Sequence, residues 1–174
     1  AAAGGVGMIA GQWGKALGAQ MIGVAGGAEK CRLAREHGYA HVIDRIREDI
    51  VARVKDITGG EGVPVVYDSL GKATFDISLK CLAPRGYFVS FGTTTGAPPP
   101  VEPATLQKLG SLYFTRPTLV TYTGRREDLL ASAAAVFAMV QKGRRQDPRR
   151  ATLQTDRRAT GACRSGRGAY DGVI

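Results

Sequence analysis

The chain has 174 residues, 44% of them hydrophobic and 22% charged, enough for one ordinary globular domain and too few for a two-domain enzyme. No run approaches the roughly 18 apolar residues needed to cross a bilayer, and no signal peptide opens the chain, so a soluble cytoplasmic protein is expected. Its +9 charge argues against nucleic acid once located, because Arg144 to Ile174 holds eight arginines and three acids and the remaining body is only mildly basic.

Ala1 to Gly7 is a turn of small residues that opens a helix from Val6 to Leu17, where Met8, Ile9, Gln12, Trp13, Ala16 and Leu17 recur at helical spacing. The run Gln20 to Ala25 reads as a strand, the stretch around Cys31, Leu33 and Ala34 as a helix ending at Gly38, and His41 to Ile43 as a second strand. Ile50, Val51, Val54 and Ile57 mark another helix, followed by a buried strand from Val63 to Tyr67. Phe75, Ile77, Leu79 and Leu82 predict a helix ended by Pro84 to Gly86, and Tyr87 to Phe91 a strand. Thr93 to Pro103 is a loop, Thr105 to Leu109 a short helix and Ser111 to Thr115 extended. A long helix runs from Glu127 to Lys142, with Leu129, Leu130, Ala133, Val136, Phe137 and Val140 on one face.

Strands alternating with helices of about ten residues predict an α/β fold, a doubly wound parallel sheet covered on both faces. The three cysteines, Cys31, Cys81 and Cys163, are too widely spaced for a disulfide framework or a zinc knuckle and read as small buried side chains.

A dinucleotide fold places glycines where a strand turns into a helix, so that backbone can approach a diphosphate at the helix N-terminus. Here the frame falls on Ala2 to Gly7, with alanine at its first glycine position; the alternative is a plain tight turn of small residues. NAD-binding folds place an acid after the second strand to accept from the ribose 2′-hydroxyl, yet Gln20 to Ala28 contains no carboxylate. Lys30 and Arg45 follow the neighbouring strands and suit a 2′-phosphate, which favours NADP; each is otherwise a solvated surface charge. No tyrosine has lysine four residues later, Ser69 and Ser78 sit in no nucleophile elbow, and His37 and His41 read as packing or surface residues. Tyr67-Asp68-Ser69, at a strand end, is read as lining the coenzyme crevice rather than as an acid/base group.

Five strings carry a resemblance: Ala2 to Gly7, Ile57 to Gly60, Val66 to Gly71, Val89 to Gly92 and Gly110 to Thr118. They are similar to the NADPH-dependent quinone oxidoreductases, the zeta-crystallin branch of the medium-chain dehydrogenase/reductases. The resemblance covers residues 1–143 in register and implies a Rossmann domain, NADP(H) as cofactor, a quinone as substrate, no zinc and no catalytic acid or base. It further implies a homodimer built through Ser111 to Thr115. Carried over by position, Ala3, Gly4, Gly5 and Val6 meet the diphosphate, Gly26, Gly27 and Lys30 the 2′-phosphate, and Ser69 the adenosine side. Phe91, Gly92 and Thr93 border the nicotinamide ribose. Arg45 stands where the family has tyrosine and Thr93 where it has asparagine. A non-catalytic NADP-binding protein and an enoyl-type reductase are the alternatives.

The resemblance also implies a preceding barrel-like domain and a first Rossmann strand that this chain retains at most as Ala1 to Ala3. A gap in the middle of the sheet order 3-2-1-4-5-6 is therefore expected, and residues 1–143 are expected to be inactive alone. The arginine-rich residues 144–174 lack periodicity, and a frame shift near Gly143 accounts for them: permitted codons for Arg145 to Gly166, read one base on, restore a strand-then-helix pattern.

Overall fold

The computed structural model describes residues 2–141. The basic tail from Arg144, its frame-shift reading and Cys163 lie outside the described residues. The first half runs α1 (Gly5–Ala16), β1 (Ile22–Ala25), α2 (Ala28–Glu36), β2 (His41–Asp44), α3 (Ile50–Ile57) and β3 (Val63–Asp68). It continues with α4 (Phe75–Cys81), β4 (Leu82–Ser90), α5 (Pro103–Lys108), β5 (Tyr113–Thr115), α6 (Leu119–Thr123) and α7 (Arg126–Gln141). Local chemistry sets several boundaries. The Asp49 side chain accepts from the Ala52 amide at 2.8 Å and caps α3, while Pro103 opens α5 where no intrahelical donor is needed.

All strand pairs are parallel, as the alternation of elements requires, but the hydrogen bonding forms two sheets, β1-β2 and β3-β4-β5. This is the expected break. Among the described residues no strand pairs with the second edge of β1 or of β3, and the Ala2 amide, 3.2 Å from the Val24 carbonyl, sits where a first strand would lie along β1. One apolar core bridges the two sheets: Ile22, Val24 and Ile43 pack with Val66, Phe88 and Leu112, and with Val54, Phe75, Leu79 and Cys81 from the helices. The rings of Phe75, Phe88 and Phe114 lie 5.2 to 6.2 Å apart and tie α4 to β4 and β5.

Strand alternation shows the double winding directly. Ile43 enters that core, whereas its neighbour Val42 packs on the other face with Ala2, Ala34 and Tyr39 beneath α1 and α2. The second sheet is covered differently from expectation. Its Val66, Phe88 and Phe114 face the core, but Tyr67, Tyr87 and Tyr113 on the opposite face stay about half exposed, with Tyr87 and Tyr113 stacked at 4.6 Å. The long helix forms as predicted and packs chiefly on α6, leaving Leu129, Leu130 and Phe137 exposed. Leu82 is a correction. It follows the helical pattern of α4 yet opens β4 opposite Val63, with a register shift where Pro84 and Arg85, the latter at φ 61°, interrupt the strand.

Cys31 and Cys81 are buried and reduced. Burial pushes the Cys81 thiol up to about 11 from 9.0, because a thiolate there would lose its hydration. A raised folded value means stability that is full below pH 9 and is lost as pH rises toward 11, since only the unfolded chain ionises easily. Urea unfolding at pH 8.5 and 10.5 should therefore show the native chain losing about 2 kcal/mol more than Cys81→Ala over that interval. Parallel losses in both would contradict it.

Candidate functional site

The residues singled out from the sequence gather at the N-terminus of α1 and at the carboxyl ends of β1, β2, β3 and β4. Ala3 to Val6 form the turn into α1, whose N-cap Gly4 is extended and offers no side chain, and whose first turn contains no acid. The first-turn amides of a helix have no intrahelical acceptor, so this end presents N–H groups and a positive dipole end to an anion. Two contacts fix its place. Ala2 is bonded to β1, and the buried Tyr39 hydroxyl donates to the Gly7 carbonyl at 2.8 Å. Burial holds the Tyr39 phenol well above its ordinary value, which keeps it a neutral donor.

The second group surrounds the turn after β1. Gly27 has φ +90°, a conformation that favours glycine, and a side chain built there would meet nothing within 4 Å, so the space over it is open. Arg45 is brought against this turn by its backbone amide, which donates to the Ala25 carbonyl at 3.0 Å, and Lys30 lies in the first turn of α2 immediately beyond Gly27. Asp44, which sequence reading missed, organises the arrangement: Oδ1 accepts from the Gly27 amide at 2.9 Å and from the Ile46 amide at 3.1 Å. Those two amides, then Arg47 and Arg45, hold its carboxyl below the ordinary carboxylate range. The Asp44-to-Ile46 bond is a local aspartate turn visible in principle from sequence, but the reach to Gly27 depends on the pairing of Ala25 with Asp44.

Ser69, Phe91, Gly92 and Thr93 form the third group, where the loops after β3 and β4 are zipped together. Thr94 donates to the Ser69 carbonyl through both amide and hydroxyl, Thr95 does the same to the Leu70 carbonyl, and the Lys72 amide donates to Gly96. Gly71 and Gly92 allow the close approach, since a Cβ on either would lie 2.4 Å from a carbonyl oxygen, of Gly96 and of Ser69 respectively. Behind the loops stands Asp68, 2% exposed, which accepts from the Leu70 and Gly71 amides through Oδ1 and from the Thr74 and Ser78 hydroxyls through Oδ2. This corrects the sequence reading of Tyr67-Asp68-Ser69 at Asp68: its carboxylate faces inward and holds the loop in place of lining the crevice. Thr74, Ser78, Thr94 and Thr95 belong to the same framework and carried no sequence motif.

The His37 Nδ1 lies 2.8 Å from the Leu33 carbonyl and His41 is exposed at the start of β2, which leaves neither beside a nucleophile. A surface depression of about 270 Å³ between α4 and α5, lined by Asp76, Leu79, Lys80 and Leu109, contains none of the predicted residues. Loops that present backbone amides, glycines and basic side chains suit an extended phosphorylated ligand better than they suit side-chain catalysis.

The profile of the family described as zinc-binding dehydrogenase matches residues 5–139. The chain belongs to that family. Within it, the chain is 50% identical over 143 residues to a quinone oxidoreductase of Pseudomonas aeruginosa, covering 82% of this chain and 44% of that protein. It is 41% identical to a 2-haloacrylate reductase of a Burkholderia species over 82% of this chain and 43% of the relative. The crystal structure of Escherichia coli quinone oxidoreductase complexed with NADPH superposes with a TM-score of 0.80 at 49% identity, over 83% of this chain and 44% of that one. The chain thus spans less than half the length of these relatives. Zinc, which the family's description names, finds no donor set here: among the described residues no three of His, Cys, Asp and Glu cluster to hold a metal ion.

Proposed function

We propose that this chain is the NADPH-binding part of a quinone oxidoreductase. The carrying observation is the 49% identity and TM-score of 0.80 to a quinone oxidoreductase complexed with NADPH, over 83% of this chain. The residues present fit that coenzyme: a helix start capped by Gly4 with no acid in its first turn, an open glycine turn flanked by Lys30 and Arg45, and braced loops at Ser69 and Gly92. Bound NADPH supplies the hydride. The chain's residues bind and orient. The amides of the turn Ala3 to Val6 receive the diphosphate, Gly26, Gly27, Lys30 and Arg45 the 2′-phosphate, and Ser69 the adenosine side. Phe91, Gly92 and Thr93 border the nicotinamide ribose, and no side chain is assigned a proton.

Titration of the chain with NADPH, followed by nicotinamide fluorescence, should saturate at one coenzyme per chain, and the absence of saturable binding would overturn the reading. The relation to a 2-haloacrylate reductase favours a second acceptor, an electron-poor alkene in place of a quinone. Following NADPH absorbance with a benzoquinone or a chloroacrylate, in a chain restored with a preceding barrel-like domain, separates the two.

A cytoplasmic homodimer belongs to the same proposal. No described helix is long and apolar enough to cross a membrane, and β5 pairs only with β4 among the described residues, which leaves an edge flanked by the exposed Tyr113 and Thr115 for a twofold partner. Sedimentation at micromolar concentration should give twice the 18.4 kDa chain mass, and a monomer there would contradict the dimer.

A further inference from the structure

We propose that Asp44 sets the coenzyme preference of the turn after β1, anchoring Gly27 with one carboxylate oxygen while its negative charge opposes a 2′-phosphate; this rests on the coenzyme reading above. The sequence has no acid between Gln20 and Ala28, where dinucleotide folds that take NAD supply one for the ribose 2′-hydroxyl. The fold delivers one from the next strand instead. Register places Asp44 beside Ala25, the last residue of β1, and its Oδ1 reaches the Gly27 amide at 2.9 Å.

The two oxygens have different work. Oδ1 accepts from the Gly27 and Ile46 amides, whereas Oδ2 has Arg47 Nε at 4.0 Å, on a side chain that is 78% exposed. Around them stand Arg45 and Glu48, which accepts from the Asp44 amide and pairs with Arg53, while Lys30 lies on α2, three residues past Gly27. The turn therefore carries both signs of charge: a carboxylate suited to accept from a bare ribose hydroxyl, and cations suited to a phosphate. A dianion entering beside Asp44 meets a like charge that a ribose hydroxyl does not meet.

Asp44→Asn keeps an oxygen for both amides and removes the charge. NADPH should then bind about fivefold more tightly while the NADH dissociation constant changes less than about twofold. Asp44→Ala removes the anchor as well, so it should bind both coenzymes about fivefold more weakly than Asp44→Asn does, with the same NADPH-to-NADH ratio as that variant. Urea unfolding of each variant confirms that the comparison is between folded chains. An unchanged ratio in Asp44→Asn, with NADPH still bound by the unaltered chain, overturns the charge role alone, and equal binding by the two variants overturns the anchor. Binding of neither coenzyme by the unaltered chain overturns this inference together with the reading beneath it.

Discussion

Alanine at position 68 is expected to lower the unfolding free energy by about 3 to 5 kcal/mol, the largest effect of any single polar substitution in the domain. Asp68 is 2% exposed, and four donors, the Leu70 and Gly71 amides and the Thr74 and Ser78 hydroxyls, converge on its two oxygens. A buried donor that loses its acceptor costs its desolvation, and the cavity left by the carboxylate is too enclosed for full repair by water. Asparagine gives the contrasting case. Its oxygen still accepts from the two amides, and its NH2 group meets hydroxyls that can rotate to accept, so about 1 to 2 kcal/mol is expected. Urea midpoints should rank native above Asn above Ala, and hydrogen exchange at Leu70 and Gly71 should accelerate before exchange in β1. An alanine variant within about 0.5 kcal/mol of the native chain would show that the carboxylate does not hold the loop.

That substitution also marks where sequence reading stopped. The strand ending in Tyr67-Asp68 was legible from its apolar run. The direction of the Asp68 side chain was not, because strand parity depends on which face the core takes, and the core is set by Phe75, Phe88 and Phe114 from three separate elements. Leu82 failed for a related reason. Its spacing from Leu79 suits a helix, but pairing with Val63 overrides a short-range pattern just ahead of Pro84. The helix of α7 was read correctly, but the face assigned to it is not buried: Leu129, Leu130 and Phe137 stay exposed among the described residues. The break in the sheet was legible because it follows from topology: an order of 3-2-1-4-5-6 without its central strand must divide into two and three.

The coenzyme turn shows the same division between local and tertiary information. Gly26 and Gly27 were assigned to it through the resemblance, and Lys30 and Arg45 because each follows one of two strands expected to be neighbours. Asp44, one residue earlier, lay just past the strand read as His41 to Ile43 and was assigned no role. Only the parallel register of β1 with β2 turns it toward Gly27. An absent acid in the sequence therefore did not mean an absent carboxylate in the fold, and on the proposal above coenzyme preference becomes a balance between Asp44 and the cations.

Lys30→Ala tests the other side of that balance and should weaken NADPH binding about tenfold while leaving NADH within about twofold. Lys30 sits in the first turn of α2 and is exposed, so its removal leaves the buried Cys31 and Ala34 contacts of that helix in place. A charge-assisted contact to a phosphate is lost only for the coenzyme that has the phosphate, which makes the selectivity the informative quantity. Equal weakening of both coenzymes would mean that Lys30 acts through the fold of α2. Ionic strength supplies an independent reading: the NADPH constant of the native chain should rise with salt more steeply than that of Lys30→Ala, since an exposed ion pair is screened over about 8 to 10 Å. Combined with Asp44→Asn, the two changes act on the same phosphate with opposite sign. The double variant should accordingly return toward the native NADPH-to-NADH ratio, and a double variant as weak as Lys30→Ala alone would show that Lys30 and Asp44 address different parts of the coenzyme.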